Sequence, residues 1–201
     1  MAGSLKVFTG CMMSGKSTRL LQEITRYADI ANLNDVKTRP LLINNALDNR
    51  SIDTIISSHS SQFKGLSSRV DIVSAIQLQD VDVSNYSVIG IDEIQFFPDL
   101  VETIKEWISQ GKHIYCAGLN GDASQKPFGQ VHLLLSICDD FEFVQAICQR
   151  CMEERSKEST IITPIDLQGM KASFSKKITG SEEQIDVGAS DKYIAVCRNH
   201  L

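Results

Sequence analysis

The 201-residue chain is long enough for one substantial hydrophobic core and a small additional unit. Its net charge of −5 and the lack of any Lys/Arg run argue against a nucleic-acid partner, so an anionic ligand must be held by local dipoles. No apolar run approaches the length of a membrane span and no signal-peptide core is visible, so we expect a cytoplasmic protein without a membrane partner. In that compartment, six cysteines are more often metal ligands or buried residues than disulfide partners.

The first predicted elements are a strand and a helix that flank a glycine-rich loop. Leu5, Val7 and Phe8 are typical of a short strand, and apolar residues recur at helical spacing between positions 20 and 31. The segment between them fits the pattern G-x-x-x-x-G-K-[ST] in the context that this pattern requires: Gly10-Cys11-Met12-Met13-Ser14-Gly15-Lys16-Ser17. We expect its backbone N–H groups to bind the phosphates of a nucleotide triphosphate, with Lys16 on the β- and γ-phosphates and the Ser17 hydroxyl on Mg²⁺.

Further apolar runs predict strands at 40–43, 70–73, 87–92, 113–117 and 142–144, and a helix that opens at Pro98-Asp99 and ends at Gly111. Strands that alternate with helices, without two-residue hairpin turns, indicate an α/β fold, a mostly parallel sheet with helices on both faces. Near residue 147 the chain becomes polar, with short β-like pieces. We therefore predict an ATP-binding α/β domain at 1–146 and a second domain at 147–201, which is too small to hold a core unaided.

Two carboxylates, Asp92 and Glu93, follow the predicted strand at 87–92, and Ile94 and Gln95 come next. Ligands of open α/β sheets bind at the carboxyl ends of the strands. Beside a phosphate loop, Asp92 is expected to hold Mg²⁺ through a water, and Glu93 to accept the proton of a hydroxyl that attacks the γ-phosphate. We assign all four residues to ATP binding and Glu93 to catalysis; taken alone, the pair could equally be two solvated acids.

Four residues in two C-x-x-[CH] knuckles predict a metal site: Cys148, Cys151, Cys197 and His200. Three thiolates and one imidazole form a tetrahedral structural zinc set with no open position for catalysis. Such a site would hold both ends of the tail and leave 153–196 as a tethered loop. Within that loop, Gln184-Ile185-Asp186-Val187-Gly188 alternates like an extended segment, which composition alone assigns to a surface strand. Cys11, Cys116 and Cys138 are predicted to be buried or incidental thiols, and Trp107 a core residue.

Together these motifs resemble the type II thymidine kinase family, in family order and over nearly the whole chain. Besides the phosphate loop and the zinc knuckles, the matching pieces are Asp92-Glu93-x-Gln95-Phe96, Lys126-Pro127-Phe128-Gly129, and Ile185-x-Val187-Gly188 followed by Asp191-Lys192-Tyr193. The resemblance implies a P-loop (RecA-like) domain with a small zinc-binding lasso domain. It further implies transfer of the γ-phosphate of ATP to the 5′-hydroxyl of thymidine in nucleotide salvage, commonly by a homotetramer that thymidine triphosphate inhibits.

The same resemblance implies a thymidine pocket. The lasso would close over the nucleoside and offer backbone groups from Gln184, Ile185, Asp186, Val187 and Gly188 to the base edges, with Tyr193 near the sugar. Apolar walls of the base pocket would come from Met12, Phe96 and Leu119, and Ala123 would lie beside the base.

The chain departs from the family pattern at several positions. Ala123 and Gln125 stand where the family usually has an aromatic residue and an Arg, which removes pocket area and a phosphate partner. Ser60 and Ser61 replace an Asp and an Arg, and Asn44 replaces a Lys. Two alternatives therefore stay open: a P-loop kinase or ATPase with another acceptor, and a non-catalytic nucleotide-binding regulator with a structural zinc knuckle.

Overall fold

A computed structural model describes residues 2–33, 39–47, 68–158, 161–178 and 192–201. Six strands form one parallel sheet in the order β3-β2-β4-β5-β1-β6. They are β1 (Ser4–Gly10), β2 (Leu41–Asn45), β3 (Asp71–Ala75), β4 (Val88–Ile91), β5 (His113–Leu119) and β6 (Asp140–Val144). The predicted α/β class is confirmed, and each predicted strand of the sheet is present within a few residues.

Two helices cover opposite faces of this sheet, α1 (Lys16–Leu33) and α2 (Leu100–Ser109). On the α1 face, Leu20, Leu21 and Ile24 pack against sheet residues that include Phe8, Leu42 and Ala117. The close approach of α1 requires Gly90 in β4, because a Cβ there would overlap the Ile24 side chain. On the α2 face, Leu100, Ile104 and the predicted core residue Trp107 join a larger cluster with Val7, Ile43 and Ile91. We call the described residues 2–145 the α/β unit.

The described residues from 146 onward form the C-terminal unit. It contains two short antiparallel pairs, β7 (Ala146–Ile147) with β8 (Lys171–Ala172) and β9 (Phe174–Lys177) with β10 (Tyr193–Val196). It also contains two helices that the sequence did not predict, α3 (Gln149–Glu158) and α4 (Pro164–Gly169). The short β-like pieces that the sequence indicated are present as these four strands, and the two helices are additional to them. Helix α3 has no buried residue, so its sequence lacks the apolar periodicity from which a helix is predicted.

Short 3₁₀ turns complete the described chain, at Leu78–Asp80, Ile94–Phe96, Val131–Ser136 and Arg198–His200. The described residues include no helix with the length and apolar content needed to cross a bilayer.

Candidate functional site

The phosphate loop lies between the end of β1 and the start of α1, as predicted. Met13 and Gly15 have left-handed backbone conformations, with φ of 61° and 88°. Left-handed residues among right-handed ones turn successive N–H groups toward a common centre, which creates an anion-binding concavity. The loop is also confined at its start, because a Cβ at Gly10 would overlap the carbonyl oxygen of Val144 in β6. The loop therefore has left-handed residues and a helix N-terminus, two features of anion-binding loops.

Lys16 gives this loop a positive charge, and Ser14 gives it a buried hydroxyl group. The Lys16 side chain is buried, and its Nζ donates to the carbonyl oxygen of Cys11 at 2.7 Å. The Ser14 Oγ is also buried, and it has no hydrogen-bond partner in the described part of the chain. A buried hydroxyl without a partner is costly unless a ligand satisfies it. A phosphate group in the loop would do so, which makes the residues present a good fit to a nucleotide.

Asp92 connects the loop to the end of β4. Its carboxylate is buried, and its Oδ1 accepts from the Ser17 Oγ at 3.0 Å and from the Glu93 N–H at 2.9 Å. The structure thus brings together the hydroxyl and the carboxylate that the sequence assigned to Mg²⁺. Both are the hard oxygen ligands that this ion prefers, so the donor set fits Mg²⁺ held together with a nucleotide.

Glu93 occupies a left-handed backbone conformation, with φ of 53°, directly after Asp92. Such a conformation is uncommon for a residue with a side chain, and it turns the partly buried Glu93 away from the strand direction. Its Oε2 accepts from the Gln95 Nε2 at 2.6 Å. The Oε1 of the same Gln95 amide accepts from the backbone N–H of Leu119 in β5 at 3.0 Å.

Gln95 therefore connects Glu93, the predicted general base, to the neighbouring strand β5 by hydrogen bonds. The sequence did not reveal this role. The amide is buried, and two glycines leave room for it. A Cβ at Gly118 would lie 2.9 Å from the Gln95 Oε1, and a Cβ at Gly129 would overlap the Gln95 backbone oxygen. The Ile94 side chain, in contrast, is fully buried in the cluster on the α2 face.

The residues predicted for thymidine binding are brought together in part. Met12, Phe96 and Leu119 are partly buried around the carboxyl ends of β1, β4 and β5, and Ala123 follows in a partly exposed turn. The Phe96 ring makes an edge-to-face contact with Phe128, with centroids 5.5 Å apart. Phe96, the partly exposed member of this pair, offers a flat apolar surface next to Glu93.

Only part of the predicted lasso lies within the described residues. Gln184, Ile185, Asp186, Val187 and Gly188 lie outside the described residues. Tyr193 opens β10 with a buried ring, and the Lys177 Nζ lies 5.7 Å from its centroid.

The four predicted metal ligands form one cluster, with their ligand atoms within 4.8 Å of one another. The Cys151 and Cys197 sulfurs are 3.8 Å apart, and the His200 Nδ1 lies 3.3–3.5 Å from the three sulfurs. Tetrahedral zinc bonds imply edges of about 3.8 Å between sulfurs and about 3.6 Å between sulfur and nitrogen. These four distances are close to those values, so the donor set fits Zn²⁺.

Electrostatics within the cluster favour a divalent cation. Burial opposes ionisation of Cys148, but hydrogen bonds from neighbouring backbone, Cys151 and His200 lower its pKa to about 6. Burial and the adjacent sulfurs of Cys148 and Cys197 raise the pKa of Cys151 to about 12. One thiolate thus forms readily and a second beside it is opposed by the first, an effect that a divalent cation in the cluster would offset.

Glu154 is a member of this site that the sequence analysis missed. Its Oε1 lies 3.1 Å from the His200 Nε2, on the far side of the ring from the cluster. A carboxylate in that place orients a metal-bound imidazole and increases its basicity. Its position three residues after Cys151 places it on the same side of α3, a spacing that could have signalled it.

Comparisons with known proteins cover both units. A family model described as thymidine kinase matches residues 3–201. The thymidine kinase of Fowlpox virus is 35% identical over 202 residues, which span 98% of this chain and 96% of the viral protein. Thymidine kinase 1 of Dictyostelium discoideum and the cytosolic thymidine kinase of Gallus gallus are 34% and 33% identical, again over 98% of this chain. They are covered over 77% and 75% of their own lengths.

Proposed function

The chain belongs to the thymidine kinase family, whose members are transferases that phosphorylate thymidine, and on that premise we propose how it acts. It transfers the γ-phosphate of ATP to the 5′-hydroxyl of thymidine, a reaction that serves nucleotide salvage. The observation that supports this most directly is the sequence of contacts from Ser17 through Asp92 to Glu93, at the edge of the sheet beside the phosphate loop.

The phosphate loop holds the triphosphate. Its N–H groups and the N-terminus of α1 receive the phosphate oxygens, and Ser14 adds a hydroxyl. Lys16 places a positive charge beside the oxygens that gain charge during transfer. Ser17 and Asp92 would hold Mg²⁺ bound with the nucleotide, Asp92 through a water, and the ion would neutralise further phosphate charge.

Glu93 removes the proton of the attacking hydroxyl. As the 5′-oxygen bonds to the γ-phosphorus, its proton moves to the Glu93 carboxylate and the bond to the β-phosphate oxygen breaks, so that ADP leaves. Gln95 donates to Glu93 Oε2, which orients the carboxylate. Phosphoryl transfer depends mainly on positioning and charge neutralisation, which these residues provide.

The thymine base lies between the sheet edge and the lasso. Met12, Phe96, Leu119 and Ala123 form the wall on the α/β side. The lasso, with Gln184 through Gly188 and Tyr193, closes the other side. The Cys₃His cluster binds zinc as a structural ion that anchors the ends of the lasso.

The remaining elements of the proposal concern the cell and the assembly. The protein acts in the cytoplasm as a homotetramer, divided into domains 1–146 and 147–201, and thymidine triphosphate inhibits it by occupying the nucleoside site. Light scattering of the purified protein tests the assembly, and calorimetry with that triphosphate tests the binding of the inhibitor.

A direct test combines purified protein, Mg²⁺-ATP and a panel of nucleosides. Thymidine is expected to yield thymidine 5′-monophosphate and ADP in equal amounts, and deoxycytidine and deoxyadenosine are the controls. Turnover of a control nucleoside without turnover of thymidine would overturn the acceptor assignment. ADP release that does not depend on any nucleoside would identify an ATPase instead.

A further inference from the structure

We propose that Ser175, in the C-terminal unit, is a positioning residue for Lys16 and thereby for the nucleotide phosphates. This inference rests on the proposed function, since it concerns the same ATP site. Ser175 lies in β9 and its side chain is buried. It does not belong to the phosphate-loop motif and is more than 150 residues away from it along the chain.

The connection runs through a single peptide group, the one that joins Cys11 to Met12. Its carbonyl oxygen accepts from the Lys16 Nζ at 2.7 Å, and its N–H donates to the Ser175 Oγ at 2.9 Å. A peptide group is planar, and its C=O and N–H point in opposite directions. A hydrogen bond that fixes the N–H therefore also fixes the direction of the carbonyl that holds the lysine.

A second contact from the C-terminal unit supports the same peptide. The fully buried Cys11 thiol donates to the carbonyl oxygen of Ala172 in β8 at 3.4 Å. Cys11 also packs in one apolar cluster with Ala172, Ile194 and Val196. The Cys11 side chain is thus part of the core of the C-terminal unit although its backbone belongs to the phosphate loop.

The strand pair β9–β10, which contains Ser175, also connects to the metal cluster. Ser175 pairs with Ala195 in β10, two residues before the ligand Cys197. The next residue, Lys176, donates from its Nζ to the backbone oxygen of the ligand His200 at 3.0 Å. Adjacent residues of β9 therefore contact the phosphate loop and the metal knuckle. The C-terminal unit acts on the ATP site as well as on the nucleoside side.

The test measures binding of Mg²⁺-ATP by calorimetry, without thymidine, to the full chain. Ser175→Ala removes the acceptor and leaves the Met12 N–H without its side-chain partner, so we expect affinity to fall by about five- to tenfold. Ser175→Thr keeps the hydroxyl and is expected to restore most of the affinity. Ser173→Ala is the matched control, because that hydroxyl accepts from the Gln145 amide and, among the described residues, has no hydrogen bond to the loop.

A double-mutant cycle with Lys16→Ala separates positioning from general destabilisation. If Ser175 acts through Lys16, Ser175→Ala should cost little further affinity in the Lys16→Ala background. Equal losses in both backgrounds, or wild-type affinity in Ser175→Ala, would overturn the inference and leave the proposed function intact. Wild-type protein that binds no ATP would overturn both, and unchanged zinc content and melting temperature show that each variant is folded.

Discussion

The α/β unit and the C-terminal unit maintain their sites by different means. In the α/β unit, large apolar side chains fill both faces of the sheet, and the carboxyl ends of the strands position the site residues. The apolar cluster of the C-terminal unit consists mainly of alanine and cysteine, with Ile194 and Val196 as its larger members. It also includes Cys11 from the phosphate loop.

This difference shows where each unit obtains its stability. Burial of large side chains stabilises a unit in proportion to the apolar area removed from water, which is considerable in the α/β unit and small in the C-terminal one. The C-terminal unit needs another source, and its Cys₃His cluster supplies one because metal binding free energy is also folding free energy. We therefore expect substitutions of site residues in the α/β unit to reduce turnover without unfolding that unit. Substitutions in the Cys₃His cluster should instead make the C-terminal unit less ordered.

The largest effect is expected from Glu93→Gln in the α/β unit. The variant keeps the shape of the side chain but removes the group that accepts the proton, so kcat should fall by about 10²–10⁴-fold. The melting temperature should stay unchanged, because Glu93 is only partly buried and belongs to no apolar cluster. Steady-state kinetics and calorimetry measure both. Turnover close to that of the wild type would contradict the assignment of the base.

The second effect concerns the C-terminal unit. Cys197→Ser should weaken zinc binding by about 100-fold or more, since four ligands share an apparent binding free energy of about 10–16 kcal/mol. Metal analysis gives the zinc content, and hydrogen exchange should show loss of protection in β9 and β10 but not in the large sheet. Cys138→Ser is the control, because Cys138 lies outside the cluster. Equal loss of protection in both units would show that they do not differ in the way described.

A third change tests the bond that orients the base. Gln95→Met keeps the side-chain volume and removes the donor to Glu93, so kcat should fall by about 10–100-fold, the range expected for a hydrogen bond to a charged group. The KM for ATP should change little, because the Gln95 side chain bonds Glu93 and β5 and not the phosphate loop. Gln130→Met is the control, since both ends of that amide are also hydrogen-bonded, to the backbone of Val101 and Pro98, away from the site. Equal effects of the two variants on kcat would exclude a specific role for Gln95.

The two units also differ in how far they could be predicted from sequence. Buried parallel strands are continuous apolar runs, and the phosphate loop and Asp92-Glu93 occupy fixed places relative to them. The α/β fold and this part of the candidate site could therefore be predicted from the sequence. The positions of Gln95 and Ser175 were not, because their partners are a strand 24 residues away and a loop 163 residues away. Helix α3 was missed for the opposite reason. Its charged residues pair locally, as Arg150 does with Glu153, and leave no periodic apolar signal.

The smallest effect sharpens the comparison at the metal cluster. Glu154→Gln removes the negative charge beside the His200 Nε2 but keeps an oxygen that can accept its proton. Outer carboxylates of metal sites contribute about 10–100-fold to metal affinity. Glu154 is 64% exposed, so we expect the lower end, about tenfold, with turnover unchanged at saturating zinc. Competition with a zinc chelator measures the affinity.

The control is Glu153→Gln, because Glu153 pairs with Arg150 on the same helix and not with a ligand. Equal zinc affinities in the two variants would contradict a role for Glu154 in orienting His200. A tenfold difference would show that this unit depends on its metal ligands down to their hydrogen-bond partners.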